Sequence, residues 1–239
     1  MDWAWAVGLA MVLATSQAAH AADAPLNPAK DARSFLLFAT AEQGPHKPFG
    51  AVGFKYAPGI DSLDRDGWRV FGRLGGGYEC ARRRPARGWN ASVEAQLLAG
   101  REWHLGRTSI GLYAGPEVIA SMKSGPEAAV YRLRGSGRIL ADLWSQPTER
   151  TLVQAYLGYS TYQQRMGGRM ALGWQLQERL FIGPEIEVYR DQAYRKMRLG
   201  AHLTGVRFAA GEWRLSGGWQ RDSARTKGGY ATLGVHWKR

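Results

Sequence analysis

Two short segments, Gly115-Pro116-Glu117 and Gly183-Pro184-Glu185, put a carboxylate directly after a proline at matching places in two alternating stretches. If Glu117 and Glu185 faced each other across a cavity, they would bind sugar hydroxyls or act as an acid pair. The competing reading, which we prefer, is that each Gly-Pro marks a strand bulge and each Glu is tied to an arginine. A third copy, Gly125-Pro126-Glu127, reads as a loop turn. Catalysis of the kind found in membrane-barrel lipases and deacylases needs a serine, a histidine base and a third group that orients the base. Beyond the N-terminal leader the sequence holds His46, His104, His202 and His236. His202 shares a face with Thr204, a poor substitute for serine, so the chain is expected not to be an enzyme. Asp61 to Gly67 has the outline of a calcium loop, but Ser62 and Arg73 occupy required ligand positions. One cysteine, Cys80, excludes an internal disulfide and a multi-cysteine zinc site. No metal and no cofactor are expected.

The larger body of chemistry is a ladder of charges on one face of the alternating segments. Arg69, Arg73, Arg132, Arg134, Arg138, Arg169, Lys196, Arg198 and Arg214 share that face with Glu79, Glu94, Glu117, Asp142, Glu185, Glu187 and Glu212. Unpaired charges in a dry interior are very costly, so these groups must pair or meet water. The ladder fits a narrow wet conduit or a salt-bridged plug, and the residues alone leave both open. Tyr113, Tyr156, Tyr162, Phe181 and Tyr189 fall on the same face. Aromatic rings suit the C–H faces of glucose, and they also fill space opposite interior glycines. A lumen that binds a glycan would use Arg69, Arg73, Glu94, Tyr113, Glu117, Phe181, Glu185, Glu187, Tyr189 and Arg198.

What must hold these residues is a set of strands. From Trp89 to Gly100 the odd positions are apolar and the even ones are mainly polar or small, the period of a strand with two unlike faces. The pattern recurs from Trp68 to Glu79, Ser109 to Glu117, Leu180 to Tyr189, Lys196 to Thr204, Glu212 to Gln220 and Tyr230 to Trp237. Weaker segments lie near 34–41, 48–57, 130–143, 151–163 and 166–177. That predicts about twelve strands, an even number as single-chain bacterial barrels have. Turns are expected at Gly44-Pro45, Asp64–Gly67, Gly125-Pro126, Gln146-Pro147 and Arg190-Asp191. The 31 glycines among 239 residues, roughly twice the usual share, argue against a helical protein.

A soluble β-sandwich also alternates. Its strands usually run about five or six residues, however, whereas several here run ten or more. The apolar faces carry no charge, and Trp or Tyr frames their ends, as at Trp68 and Tyr78. Aromatic girdles frame a lipid-facing band in this way. The expected fold is all-β: a single transmembrane antiparallel β-barrel of the outer membrane. Residues 1–21 read as a signal peptide, with an uncharged run from Trp3 to Ala14 and the cleavage pattern Ala19-His20-Ala21. Residues 22–239 form the barrel domain.

The formal net charge of +12 rises to +13 when residues 1–21, which include Asp2, are removed. Such an excess points to an anionic partner. In an exported protein that is lipid phosphate or an acidic glycan. No nucleic-acid recognition pattern is present. The run Arg82-Arg83-Arg84-Pro85-Ala86-Arg87 is expected in an outward loop, able to meet lipopolysaccharide phosphates.

Asp64-Arg65-Asp66-Gly67-Trp68-Arg69 running into Gly75-Gly76-Gly77-Tyr78, then Gly111–Glu117, Gly183-Pro184-Glu185, Tyr194-Arg195, Arg198–Gly205, Gly217-Gly218-Trp219 and Gly229–Gly234 follow in order along the chain. Together they resemble the bacterial cellulose biosynthesis protein BcsS family, exported proteins encoded with cellulose synthase operons. The resemblance implies an outer-membrane protein tied to cellulose production. Its implied partners are outer-membrane lipid, cellulose or cello-oligosaccharide, and components of the cellulose synthase complex. It brings no catalytic residues with it. The expected function is a non-enzymatic accessory that aids secretion or surface anchoring of the polymer. The alternatives are a small polar or oligosaccharide channel unrelated to cellulose and, behind it, a lipid-modifying barrel enzyme.

Overall fold

The computed structural model describes residues 34–45, 47–59, 62–80, 89–124 and 129–238. The expected signal peptide at 1–21, the first residues after it, the Arg82–Arg87 run and the Gly125-Pro126-Glu127 turn lie outside the described residues. So do His46 and Asp61.

Among the described residues there are twelve strands: β1 (Phe35–Gln43), β2 (Pro48–Tyr56), β3 (Gly67–Cys80), β4 (Trp89–Leu105), β5 (Thr108–Ser124), β6 (Ala129–Thr148), β7 (Thr151–Ser160), β8 (Arg165–Gln177), β9 (Leu180–Arg190), β10 (Arg195–Phe208), β11 (Gly211–Asp222) and β12 (Lys227–Lys238). Each pairs antiparallel with its neighbours in sequence, and β12 pairs with β1 to close the barrel. Closure gives each strand a partner on both sides over the body of the barrel, while β6 extends past its neighbour β7 from Ala129 to Arg138, where their pairing begins. The shortest strands have nine residues and the longest twenty. A tilted strand needs about nine to eleven residues to cross a bilayer.

The alternation decides which side chains meet lipid. Leu74, Val93, Leu97, Leu112, Val118, Leu157, Met170, Ile182, Ile186, Leu199 and Leu215 all point outward and are exposed. Trp68, Trp103, Trp174, Trp213 and Trp237 face outward at the end of the barrel where β1 begins and β12 ends. Tyr78, Trp89, Tyr159 and Trp219 do so at the opposite end. Two aromatic rings thus bound an apolar band, the pattern of a barrel seated in a membrane. Besides the long β2–β3 connection, residues 57–66, the first end carries the two-residue connections 106–107, 149–150, 178–179 and 209–210, the kind of short turn found on the periplasmic side of such barrels.

The expected bulges at the two Gly-Pro steps are absent. Register is the same on either side of Pro116, from Gln96–Glu117 to Ala99–Ala114, and of Pro184, from Ala171–Glu185 to Trp174–Ile182. Each proline interrupts pairing on one side only, so the strand absorbs the missing N–H without an extra residue. Shifts occur instead between Thr204 and Val206, between Ser145 and Thr148, and between Gln175 and Gln177. Gly205, in the first of these, has φ +94°, and a Cβ there would collide with the Arg179 carbonyl.

Arg132 and Arg134 have the inward parity but leave the enclosed interior. They lie on the part of β6 that rises past its pairing with β7, which begins at Arg138, and they are exposed. Tyr162 sits in a single 3₁₀ turn, Tyr162–Gln164, between β7 and β8.

Candidate functional site in the barrel interior

Near the short-turn end, β1 and β3 to β6 direct Phe38, Phe71, Leu98, Tyr113 and Leu140 inward. Phe71 stacks on Phe38 and lies 6.0 Å from the Tyr113 ring, while Leu98, Tyr113 and Leu140 form the buried cluster. Gly100 and Gly111 make room for Tyr113, since a Cβ at either would strike its ring. Beside this apolar group lies a charged one. The Lys55 ammonium donates to Glu102 and to Asp142, both at 3.1 Å. Glu102 also accepts from Ser109 at 2.8 Å and from the Tyr113 hydroxyl at 3.0 Å. Arg69 is fully buried; its Nε lies 3.6 Å from Glu102, and its guanidinium donates to the carbonyls of Ser62, Arg65 and Trp68. Those carbonyls belong to or adjoin the connection from β2 to β3, so Arg69 ties that connection, with its buried Leu63, to the mouth of the barrel. Asp66 and Asp64 fasten it further, accepting from the His104 backbone N–H and from Lys238.

Higher on the same side, Glu117 is 1% exposed and takes four donors. These are Arg138 at 2.8 Å, Arg165 at 3.4 Å, Ser136 at 2.9 Å and Ser160. Arg165 also reaches Glu94 at 3.5 Å, and Glu94 pairs with Arg73 at 2.5 Å.

On the opposite wall Glu185 accepts from Arg214 and from Tyr230, with Arg169 at 4.0 Å. Arg214 donates to Gln154 and to Thr204 as well. His202 is 2% exposed and lies 3.1 Å from the Leu172 carbonyl and 2.9 Å from the Thr204 hydroxyl. A carbonyl only accepts, so Nε2 carries the proton and Nδ1 accepts from Thr204. Leu172 lies opposite Pro184, where the β8–β9 ladder is interrupted and the proline has no N–H to give. His202 therefore supplies a donor where the strand lacks one. Both ring nitrogens are engaged in structure. Leu152, Ala171 and Phe181 close this side at the same depth, each 5% exposed or less.

Toward the other end the interior holds a further set of paired charges. Arg198 holds Glu42 at 2.6 Å, Glu187 at 3.3 Å and Gln220 at 2.8 Å, and Lys196 pairs with Glu187 at 2.7 Å. At the rim Lys47 meets Glu79, and Tyr189 and Tyr194 pack together with their hydroxyls donating to Asp191 and Asp222. Burial, then the Asp222 carboxylate, holds the Tyr194 hydroxyl above the ordinary tyrosine range.

Three contacts join strands four apart around the barrel: Lys55 on β2 to Asp142 on β6, Glu94 on β4 to Arg165 on β8, and Gln154 on β7 to Arg214 on β11. A lysine and an aspartate side chain together cannot reach across a round twelve-stranded cylinder, so the wall is drawn inward there. Charged groups and amides thus tie together strands a third of the way round the barrel from one another.

All ten interior residues expected from the sequence face inward. Glu117 and Glu185 do not form a pair; each is enclosed by its own arginines. Tyr113 and Phe181 are packed into the wall, and Tyr189 stands at the rim. Sequence reasoning missed Lys55, Glu102, Glu42 and Arg165, which carry much of the network. Parity was the available signal: Glu102 continues the even face of β4 past Gly100, and Glu42 closes the even face of β1.

A model of the family described as cellulose biosynthesis protein BcsS matches residues 48–239. Among solved structures, the transport unit of the autotransporter AIDA-I from Escherichia coli is similar in fold, with TM-score 0.50 and 9% identity over 89% of this chain and 92% of that one. A KdgM porin gives TM-score 0.47 and 10% identity over 84% of this chain and 98% of its own. The Acinetobacter baumannii outer membrane protein Omp33 gives 0.39 and 10% over 87% and 98%. No curated protein sequence matches the chain.

Proposed function

This chain belongs to the cellulose biosynthesis protein BcsS family, and on that premise we propose that it is a non-enzymatic outer-membrane accessory that anchors nascent cellulose at the cell surface. The observation that carries the reading is the set of three cross-barrel contacts, with the packed layer beneath them. An interior bridged in this way suits a rigid post better than a passage for a glucan chain. The polar residues expected to line a conduit act on this reading as the ties of the scaffold. On this reading His202 is engaged by Leu172 and Thr204, and Glu117 and Glu185 by arginines.

Polymer would then be met at the loop end, where Tyr189 and Tyr194 present partly exposed rings beside Asp191 and Asp222. Components of the cellulose synthase complex are the partners such a post would serve. The test is to remove the protein from a cellulose-producing strain and measure glucan in the cell pellet and in the medium. Anchoring predicts that polymer shifts from pellet to medium while the total holds. A fall in total polymer with no shift would overturn anchoring in favour of secretion.

A further inference from the structure

Four basic residues, Arg190, Arg195, Arg221 and Lys227, stand at or one residue from the ends of four consecutive strands at the loop end of the barrel. Their inward neighbours Tyr189, Lys196 and Gln220 face the lumen, so strand alternation turns Arg190, Arg195 and Arg221 outward. Lys227 is outward by the same parity, three residues before inward Tyr230. All four are exposed. Immediately below them on the lipid face stand Val188, Met197 and Trp219, exposed and apolar. The four therefore sit just outside the apolar band, at the depth of lipid headgroups.

The register makes the arrangement unfavourable by itself. Arg190 is directly opposite Arg195, and Arg221 is directly opposite Lys227. Like charges directly opposite in a sheet are destabilising. Nearby carboxylates do not relieve them: Asp191 accepts from the backbone of Ala193 and Tyr194, and Asp222 accepts from Thr226 and Tyr194. Among the described residues none of the four bases has an ion-pair partner. Two adjacent repelling pairs above an apolar surface have the chemistry of a site for an anion that carries its own hydrocarbon. Arginine binds phosphate through paired N–H donors.

We propose that this patch binds the phosphorylated glucosamine headgroup of lipid A, with Trp219, Met197 and Val188 against its acyl chains. The proposal rests on the outer-membrane reading above and on the loop end facing the cell surface. It assigns the anionic partner to the outer wall of β9 to β12, apart from the interior network.

The experiment uses the full chain folded in detergent free of lipopolysaccharide. Binding is measured for lipid A with both phosphates, for lipid A with them removed, and for phosphatidylglycerol. The variants are Arg190→Gln, Arg195→Gln, Arg221→Gln and Lys227→Gln combined, and Arg101→Gln at the opposite rim. Heat-dependent electrophoretic mobility confirms that each is folded. The expected result is that the combined variant binds phosphorylated lipid A about a hundredfold or more weakly, that removing the phosphates does the same to the unaltered protein, and that Arg101→Gln changes nothing. Unchanged binding by the folded combined variant overturns the site. Equal binding of phosphatidylglycerol overturns the assignment to lipid A. Separately, Ser223→Cys in a Cys80→Ser background is offered an impermeant maleimide on intact cells. Labelling establishes that this end is outside. Absence of labelling sinks the orientation itself, a failure distinct from loss of the patch.

Discussion

His202 shows how a residue that looks catalytic is consumed by architecture. It donates to the Leu172 carbonyl opposite Pro184 and accepts from Thr204, which in turn accepts from Arg214. His202→Ala should cost about 1–3 kcal/mol, the usual penalty for orphaning a buried polar group. In a Pro184→Ala background, where the strand regains an N–H, the same substitution should cost clearly less. Urea unfolding of the four proteins in micelles measures that coupling, and equal costs in both backgrounds would refute the link. Glu117→Gln leaves Arg138 and Arg165 facing a neutral amide. It should destabilise by about 3 kcal/mol on the same assay, as expected when one partner of a buried ion pair is lost. The sequence made the side of the wall legible for Arg69, Glu117, Glu185 and Arg198, because strand parity is local. Their partners were not legible. That Glu117 meets Arg165, or Lys55 meets Asp142, depends on how the barrel is closed and drawn in, which no local pattern records.

At the scale of elements, most strands could be read from alternation, and the misreadings have local causes. Strand β6 continues to Thr148 through Pro147, where a turn was expected, because the register shift after Ser145 accommodates the proline. At Pro116 and Pro184 the opposite holds: a bulge was expected, and the strands run straight. The turn between β10 and β11 offers a test of element-level strain. Ala209 and Ala210 both have positive φ, 50° and 59°, as a two-residue hairpin of the primed type requires. Left-handed backbone costs a non-glycine residue roughly 1–2 kcal/mol. Replacing the pair with Asn-Gly (Ala209→Asn with Ala210→Gly) should therefore raise stability by about 1–2 kcal/mol and speed refolding into micelles. A loss of stability would mean that the turn is held by contacts of the alanine methyls instead.

For the molecule as a whole, two faces of one sheet divide the labour. The outer face carries the apolar band, its aromatic borders and the basic patch; the inner face carries ion pairs that knit the walls. Conductance measures the state of that interior directly. The purified barrel, verified as folded by its heat-dependent mobility, is inserted into a planar bilayer with and without cello-oligosaccharides. The account predicts no stable current and no effect of the sugars. It also predicts that Lys55→Ala combined with Arg165→Ala and Arg214→Ala, which cuts all three cross-barrel contacts, produces current where the unaltered barrel has none. A steady current through the unaltered protein that cello-oligosaccharides block would contradict the closed scaffold and make the interior a path for glucan.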